Sequence, residues 1–387
     1  MALRLELQLW HVGPIMRVAL GHDGLVSQRG GENVLLEMAR LFPEAPIYTL
    51  VHRPGTVHPE LERHPIITSF IQDLPGAPES FRRYLPLFPR AIEALDLSGF
   101  DLILSTSHCV AKGVRITPDQ THISYIHSPM RYIWDQLPQY LPGGPAMRAL
   151  AEPVARLATI PLRAWDRRSS QRPTQLLANS DFVGARIQRY WGRDARRLYP
   201  PVDVSFFEGA EAGPREGYLV VSALVPYKKV DLAVRWATAT GAALTVIGAG
   251  SELESLRSLA GEGVRFVSGA TREQVRDAYG RARGLLFCGV EDFGIVPLEA
   301  MAAGCPVVAL GCGGALETVI GEGPDATGVF FQDSTLEAIG AAVEVLEAGW
   351  RAGHFDRDTL QAQARRFQVA AFVEGLQGVV AELAPHS

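Results

Sequence analysis

The chain has few cysteines, no excess of basic residues and no long uninterrupted apolar stretch. Its four cysteines include no C-x-x-C pair, which argues against a disulfide framework or a zinc ribbon, so we expect buried, reduced thiols. Lys and Arg together number 37 and Asp and Glu 42, and this net charge of −5 excludes a globally basic nucleic-acid-binding protein. The uncharged segment 300–316 is broken by Pro306 and several glycines, so no membrane-spanning helix is predicted.

The composition is that of an ordinary globular protein, with 47% apolar and 20% charged residues. At about 150 residues per domain, the 387 residues predict about two to three domains. Residues 1–15 contain Glu6 and Trp10 where a signal peptide requires an unbroken apolar core, which predicts a cytoplasmic location. Met16 begins the first apolar run, and the sequence leaves open whether residues 1–15 are an N-terminal extension or a misassigned start.

Short apolar runs alternate with amphipathic stretches in both halves of the chain, which predicts an α/β fold with parallel sheets and covering helices. In the first half, strands are expected at 16–20, 47–51, 102–105, 123–126 and 176–179. In the second half, strands are expected at 218–222, 244–247, 265–267, 285–287, 306–310 and 329–331.

The segment 199–217 is rich in Pro, Gly and acidic residues and is typical of a linker. We therefore predict two Rossmann-like domains, at residues 16–200 and 201–365, that face each other across a cleft. Residues 366–387 are predicted as a C-terminal helix, because apolar residues recur at helical spacing from 361 to 383. The sequence leaves open which domain this helix packs against.

The most informative segment is 289–306, GVEDFGIVPLEAMAAGCP, which follows an expected strand and begins a short helix. Pro297 suits the first turn of this helix and Gly304 suits its end. With Ile295 or Val296 at the N-cap, no side chain would accept a hydrogen bond from the first amides. The turn therefore favours an external anion such as phosphate.

Glu291 and Glu299 flank this turn at a spacing that lets both carboxylates face one cleft. A solvated loop acid is the alternative for Glu291, and half of a capping box is the alternative for Glu299. The Ser or Thr that such a box requires three positions earlier is missing. The strand, the loop, the uncapped turn and the two carboxylates together favour a sugar-nucleotide site.

In these motifs the chain resembles the retaining glycosyltransferases of family 4, over about residues 16–372. The family's two glutamates separated by seven residues correspond to Glu291 and Glu299. Further matches are SALVPYKKVDLAV at 222–234, YPPVD at 199–203, NSDFVGARI at 179–187 and GCGGALETV at 311–319. The segments QRGGENVL and SYIHSPMRYIWD are similar to a subgroup that includes bacterial mannosyltransferases of surface-polysaccharide assembly. The resemblance implies a GT-B fold.

The resemblance also implies how the donor is held. Glu299 would hydrogen-bond the nucleotide ribose, and Glu291 would hold hydroxyls of the transferred sugar near its anomeric carbon. Lys228 would bind the diphosphate. Ala223 stands where the family usually has an arginine, and Lys229 or another cation would compensate for it. The backbone amides that would meet the diphosphate and sugar belong to Phe293, Gly294, Ile295 and Val296.

On the N-terminal side, the resemblance places Gly30 and Gly31 beside the donor diphosphate and identifies His127 with an active-site histidine. From the sequence alone, the alternatives are an ordinary loop-to-helix turn for the glycines and a structural role for the histidine. His127 follows an expected strand, at the strand end where α/β clefts bind ligands. The acceptor is expected beside Arg131, Tyr132 and Trp134.

The sequence thus predicts a retaining, metal-independent glycosyltransferase without a resident cofactor, for which GDP-mannose is the favoured donor and a glycan or lipid-linked molecule the acceptor. A nucleotide-sugar epimerase or phosphorylase on the same fold is one alternative. A non-catalytic sugar-nucleotide-binding partner of a glycan assembly complex is another.

Two further patterns have simpler explanations. Asp356 and Asp358 have the D-x-D form of metal-dependent transferases, but their position before a helix predicts a cap. A basic segment is expected to be a solvated face, with peripheral contact to the anionic inner face of a membrane as the alternative. Its arginines are Arg148, Arg156, Arg163, Arg167 and Arg168.

Overall fold

Two parallel β-sheets, one in each half of the chain and each covered by helices, make up the fold. The computed structural model describes residues 16–28, 30–137, 141, 145–211 and 213–383. The extension predicted at 1–15 therefore lies outside the described residues.

The N-terminal sheet has seven strands in the order β3-β2-β1-β4-β5-β6-β7, and all of its pairings are parallel. Its central strands are buried along their whole length, because helices cover both faces of a parallel sheet. The strands are β1 (Val18–His22), β2 (Ile47–Thr49), β3 (Ile66–Thr68), β4 (Leu102–Ser107), β5 (Thr121–Ile126), β6 (Gln175–Ala178) and β7 (Arg196–Arg197).

The helices of this half follow the strands and cover the sheet. The first of them turns Val34, Leu35 and Met38 into the core, as its apolar spacing predicts. The helices are α1 (Gly30–Leu41), α2 (Phe88–Glu93), α3 (Pro145–Ala158), α4 (Ile160–Ser169) and α5 (Asp181–Trp191), and 3-10 turns lie at 61–63, 70–73, 81–87 and 111–113.

The C-terminal sheet has six parallel strands in the order β10-β9-β8-β11-β12-β13. They are β8 (Tyr218–Val221), β9 (Leu244–Ile247), β10 (Val264–Val267), β11 (Gly284–Phe287), β12 (Val307–Leu310) and β13 (Gly328–Phe331). The helices are α6 (Val204–Glu208), α7 (Val230–Thr240), α8 (Leu253–Leu259), α9 (Arg272–Arg281), α10 (Ile295–Ala302), α11 (Ala315–Thr318), α12 (Leu336–Ala352), α13 (Arg357–Arg365) and α14 (Val369–Leu383). A 3-10 turn at 226–228 precedes α7.

The last described helix, α14, packs on the N-terminal domain. The apolar face of α14, with Phe372 and Leu376, packs into the same core as Val34 of α1. The helical spacing read over 361–383 belongs to two helices, because Gln368 forms a parallel bridge with Val202 that interrupts the helix. Asp356 caps α13 as predicted, because its carboxylate accepts a hydrogen bond from the backbone N–H of Thr359 at 3.0 Å.

All eleven strands expected from apolar runs are present, with ends displaced by at most two residues. The two strands that the sequence analysis missed, β3 and β7, are short and lie at the edges of their sheet. An edge strand needs less apolar surface, and β7 consists of Arg196 and Arg197 alone.

Cysteines 109, 288 and 305 are buried and free as expected, whereas Cys312 is exposed because it lies in the loop after β12.

Three loops at the carboxyl edge of the C-terminal sheet approach each other backbone to backbone. A Cβ at Gly289 would lie 2.8 Å from Lys228 Cα, and one at Gly314 would lie 2.3 Å from Phe293 Cα. Gly313 has φ +68°, and its Cβ would lie 2.5 Å from the Glu291 carbonyl oxygen. Only glycine permits these approaches, so the GCGG segment fixes the loop that carries the first glutamate.

We expect Gly314→Ala to lower the free energy of unfolding by about 2 kcal/mol or more, because the new methyl group overlaps backbone that cannot move away easily. Chemical denaturation measures this loss. Gly378→Ala is the matched control: Gly378 lies inside α14 with open space around it, so alanine should be neutral or stabilising by about 0.5–1 kcal/mol. Equal effects of the two substitutions would contradict the close approach.

Candidate active site

Loops from both domains meet at the carboxyl ends of their strands. A Cβ at Gly31 would lie 3.3 Å from His127 Nε2, and one at Gly30 would lie 3.2 Å from Ile295 Cδ1. The first contact joins the start of α1 to the end of β5, and the second joins α1 to the first residue of α10 across the cleft. The structure therefore brings together four residues that the sequence analysis assigned to one site.

The start of α10 differs in one respect from the sequence prediction. Its N-cap is Gly294, with φ 91°, and not Ile295 or Val296. Such a left-handed backbone suits glycine and is strained in β-branched residues. No side chain caps this N-terminus, so its first amides are available to an anion, as the prediction required. Phe293 packs its own ring into the core, which leaves only its backbone to the site.

Lys228 and Glu291 form an ion pair at the loops after β8 and β11. Both are largely buried, with side-chain exposures of 20% and 13%. Burial, and next the Arg131 guanidinium, lower the pKa of Lys228 to about 8, so the ammonium is still charged at neutral pH. Lys229 is exposed and adopts a left-handed backbone with φ 53°, and Ala223 is exposed as well.

Glu299 lies in the first turns of α10 beside a residue that the sequence analysis missed. The Tyr279 hydroxyl of α9 donates to Glu299 Oε2 at 3.2 Å. Burial raises the pKa of Glu299 to about 7, against the opposing effects of this hydrogen bond and of Arg272. The carboxyl group therefore changes its charge near neutral pH, in a position to accept hydrogen bonds from a polyol.

His127 is the end of a buried hydrogen-bonded series. Its Nε2 lies 3.1 Å from Thr106 Oγ1, and the same hydroxyl lies 2.9 Å from His22 Nδ1. His22 Nε2 in turn lies 3.6 Å from Glu32 Oε1. Burial lowers the pKa of His127 to about 3, so its imidazole is neutral at neutral pH.

The single proton of the Thr106 hydroxyl determines the tautomer of both histidines. Burial works against ionisation of Glu32, but the His22 imidazole beside it lowers the pKa of Glu32 below its usual value. When His22 is neutral, a carboxylate at this position favours its proton on Nε2, which leaves Nδ1 as an acceptor for Thr106. Thr106 must then accept from His127 Nε2–H. His127 Nδ1 is left as a hydrogen-bond acceptor.

Asp292 ties the two domains together next to the first glutamate. Its Oδ2 accepts from Arg131 Nε at 2.9 Å, and its Oδ1 accepts from Arg186 Nη1 at 2.8 Å. Its carbonyl oxygen accepts from Ser180 Oγ at 2.5 Å. Charge-assisted bonds of this kind are stronger than neutral ones.

A second acidic residue crosses the same interface. Glu317 of α11 accepts the backbone N–H groups of Asp181 and Phe182, at 2.8 and 3.0 Å. These are the first amides of α5 in the other domain, where a negative charge is favourable. The sequence analysis assigned Arg131 to the acceptor and identified none of these contacts between the domains, since the partners are distant in the chain.

The three predicted acceptor residues lie in different surroundings. Arg131 reaches the domain interface through Asp292. The Tyr132 hydroxyl lies 2.8 Å from Cys109 Sγ, and Trp134 Nε1 donates to Asp166 at 2.7 Å, so both polar groups are used inside the N-terminal domain. The Trp134 ring is occupied as well, because Tyr190 stacks on it with ring centroids 4.8 Å apart and the Arg163 guanidinium lies 5.4 Å from its centre.

Two further observations concern the described part of the chain. No group of three or more His, Cys, Asp or Glu side chains within it is arranged to hold a metal ion. No helix within it has both the length and the apolar character needed to traverse a bilayer.

Family models match both halves of the chain. Residues 203–365 match the model described as Glycosyl transferases group 1. Residues 28–206 match the model described as Glycosyltransferase Family 4. The two matches together extend over most of the described residues.

Two mycobacterial proteins of the same name, GDP-mannose-dependent alpha-(1-6)-phosphatidylinositol monomannoside mannosyltransferase, are similar in sequence. The chain is 38% identical to that of Mycobacterium tuberculosis over 126 residues, which cover 28% of this chain and 32% of the relative. It is 32% identical to that of Mycolicibacterium smegmatis over 236 residues, which cover 51% of this chain and 61% of the relative. The matches thus span about a third and three fifths of these relatives.

Solved structures with the same architecture are more distant in sequence. Anabaena HepE in complex with UDP superposes with a TM-score of 0.67 at 15% identity, covering 95% of this chain and 100% of that one. Sucrose-phosphate synthase from Thermosynechococcus elongatus superposes with a TM-score of 0.69 at 17% identity, covering 95% of this chain and 99% of that one. These similarities establish the GT-B fold, two Rossmann-like domains across a cleft.

We expect the hydroxyl of Thr106 to hold His127 in its Nε2-protonated form. Nitrogen-15 NMR of the histidine rings reports the tautomer directly. Thr106→Val should give a mixture of His127 tautomers, because the imidazole loses the acceptor that fixes its proton. Thr106→Ser keeps the hydroxyl and should match the parent. A parent protein with His127 protonated at Nδ1 would contradict the proposed order of donors.

Proposed function

Since the chain belongs to the group 1 glycosyl transferases of family 4, we propose that it is an enzyme that transfers a sugar from a nucleoside diphosphate donor to a glycan or lipid-linked acceptor, with retention of the anomeric configuration. We favour GDP-mannose as the donor and mannose as the transferred sugar. The sequence relatives support this choice, since both are GDP-mannose-dependent by name. The structural neighbours that hold UDP are too distant in sequence to argue for a base.

One observation carries the proposal: the uncapped N-terminus of α10 lies between Lys228, Glu291 and Glu299 on one domain and His127 on the other. Helix amides and a buried ammonium are a site for a diphosphate, and carboxylates are acceptors for sugar hydroxyls. A site with both is suited to a nucleotide sugar.

The Lys228–Glu291 ion pair suggests how binding proceeds. A donor diphosphate competes with Glu291 for the Lys228 ammonium. When the ammonium turns to the diphosphate, the Glu291 carboxylate is free to accept hydrogen bonds from the sugar. The charge that develops on the leaving diphosphate is then met by Lys228 and by the amides of α10, without a metal ion.

The neutral imidazole of His127 suits the sugar rather than the phosphates. Its Nδ1 can accept a hydrogen bond from a sugar hydroxyl, and with no charge it does not compete for the diphosphate. Retention follows if the diphosphate leaves and the acceptor attacks on the same face through an oxocarbenium-like state, with the diphosphate accepting the acceptor's proton. We assign the acceptor to the N-terminal domain beside Arg131.

The first test measures donor choice. Calorimetric titration should show GDP binding more tightly than UDP, and GDP-mannose should release GDP faster when a phosphatidylinositol mannoside is added. Lys228→Ala should weaken GDP binding by about one to two orders of magnitude, because a charge-assisted hydrogen bond contributes roughly 1.5–3 kcal/mol. Guanosine, which lacks phosphates, should bind this variant and the parent equally.

Other outcomes would separate the alternatives. Tighter binding of UDP contradicts the GDP assignment. If the donor binds but no nucleoside diphosphate is released with any acceptor, the chain would be a non-catalytic sugar-nucleotide-binding protein. Release that requires inorganic phosphate would identify a phosphorylase.

The second test is the pH dependence of GDP affinity. The pKa of Glu299 is about 7, so at lower pH its carboxyl group is protonated and accepts hydrogen bonds from the ribose less well. The pKa of Lys228 is about 8, so at higher pH its ammonium loses its charge. Affinity should therefore be greatest between about pH 7 and 8 and fall on both sides. Glu299→Gln should abolish the fall at low pH, and Lys228→Met the fall at high pH. A parent profile that both variants share would contradict these assignments.

A further inference from the structure

Most of the large apolar side chains that are exposed among the described residues lie on α3 and the first residue of α4. Among the described residues, nine large apolar side chains are exposed, and five of them lie within fourteen consecutive positions. We call these five the apolar stripe: Met147, Leu150, Val154, Leu157 and Ile160, with exposures from 54% to 82%. The spacing of the first four, three and four residues apart, places them on one face of α3.

The large apolar residues of α3 face outward, while some of its alanines are turned toward the protein. Ala151 and Ala155 are partly covered by the protein, whereas Leu150 and Val154 beside them are 82% and 70% exposed. A helix that only covers its own domain would have the reverse arrangement. A contiguous apolar patch of this kind on a globular protein marks an interaction site.

The surroundings of the stripe are basic although the chain as a whole is acidic. Residues 145–168 contain five arginines and two acidic residues, against a net charge of −5 for the whole chain. Of the two acids, Asp166 is buried and paired with Lys112, and Glu152 is paired with Arg156. Arg167 and Arg168 are exposed at the end of α4.

We propose that the apolar stripe is a docking surface for an anionic lipid bilayer. The stripe would enter the boundary between headgroups and acyl chains, with the helix lying in the membrane plane, and Arg167 and Arg168 would contact lipid phosphates. The combination of an apolar face with adjacent cations argues for a lipid surface over a purely apolar protein partner.

The docking surface is linked to the cleft. Arg163 of α4 donates to the carbonyl oxygen of Ile133 at 2.5 Å, and its guanidinium lies 5.4 Å from the centre of the Trp134 ring. Both partners belong to the loop that carries Arg131 to Asp292 at the domain interface. A bilayer bound at the stripe would therefore lie on the side of the N-terminal domain where we place the acceptor.

The test is sedimentation with vesicles that contain no glycosyl acceptor and no sugar nucleotide, so its result is independent of transfer activity. The parent should bind vesicles of phosphatidylcholine with about 30% phosphatidylglycerol, weakly bind pure phosphatidylcholine, and lose affinity as salt screens the charges. Leu150→Glu and Leu157→Glu should each lower the partition coefficient about tenfold or more. A parent that sediments with neither vesicle overturns the proposal.

The chain offers matched controls for both parts of the surface. Val345→Glu adds the same charge at an apolar residue of α12 that is 57% exposed, and it should bind like the parent. Arg168→Gln should lower binding to anionic vesicles about fivefold, whereas Arg351→Gln on α12 should not. Equal losses in test and control variants overturn the proposal. A dimer in light scattering that Leu150→Glu dissociates, with no vesicle binding, would identify a second copy of the chain as the occupant instead.

Discussion

The position of the candidate site depends on the buried carboxylate of Asp292. It lies in the C-terminal domain, and its partners Arg131 and Arg186 belong to the N-terminal domain. A buried charge is tolerated only when it is paired and hydrogen-bonded, and Asp292 has both guanidinium partners. Because Glu291 precedes it, the contact that joins the domains also fixes the carboxylate that we assign to the transferred sugar.

Several of the contacts that cross the interface are polar, among them those of Asp292 and Glu317. The large apolar core of the C-terminal domain runs from residue 202 to residue 367 and is separate from the N-terminal cores. Separation of the domains therefore breaks the bonds of Asp292 and Glu317 but exposes little of either core. Water can replace polar partners far better than it can solvate apolar surface.

Most of the fold could be predicted from the sequence because buried parallel strands must be apolar on both faces. The site could be predicted only where its residues are neighbours in the chain, as in the segment with Glu291 and Glu299. Asp292 was missed because Arg131 and Arg186 are 161 and 106 residues away. The N-cap was misplaced because the left-handed φ of Gly294 has no signature that distinguishes it from an ordinary loop glycine.

The same distinction separates the two halves of the site. On the C-terminal side, close-packed glycine loops and α10 bring charged groups together within one domain. On the N-terminal side, His127 is fixed through Thr106 and His22, which lie on two adjacent strands but 84 residues apart in the chain. Burial makes this imidazole neutral, whereas Lys228 keeps its charge at neutral pH. Under the proposed function, the C-terminal domain would offer the Lys228 ammonium and the α10 amides to a diphosphate, and the N-terminal domain would offer the neutral His127 imidazole to the sugar, which would favour one orientation of a nucleotide sugar.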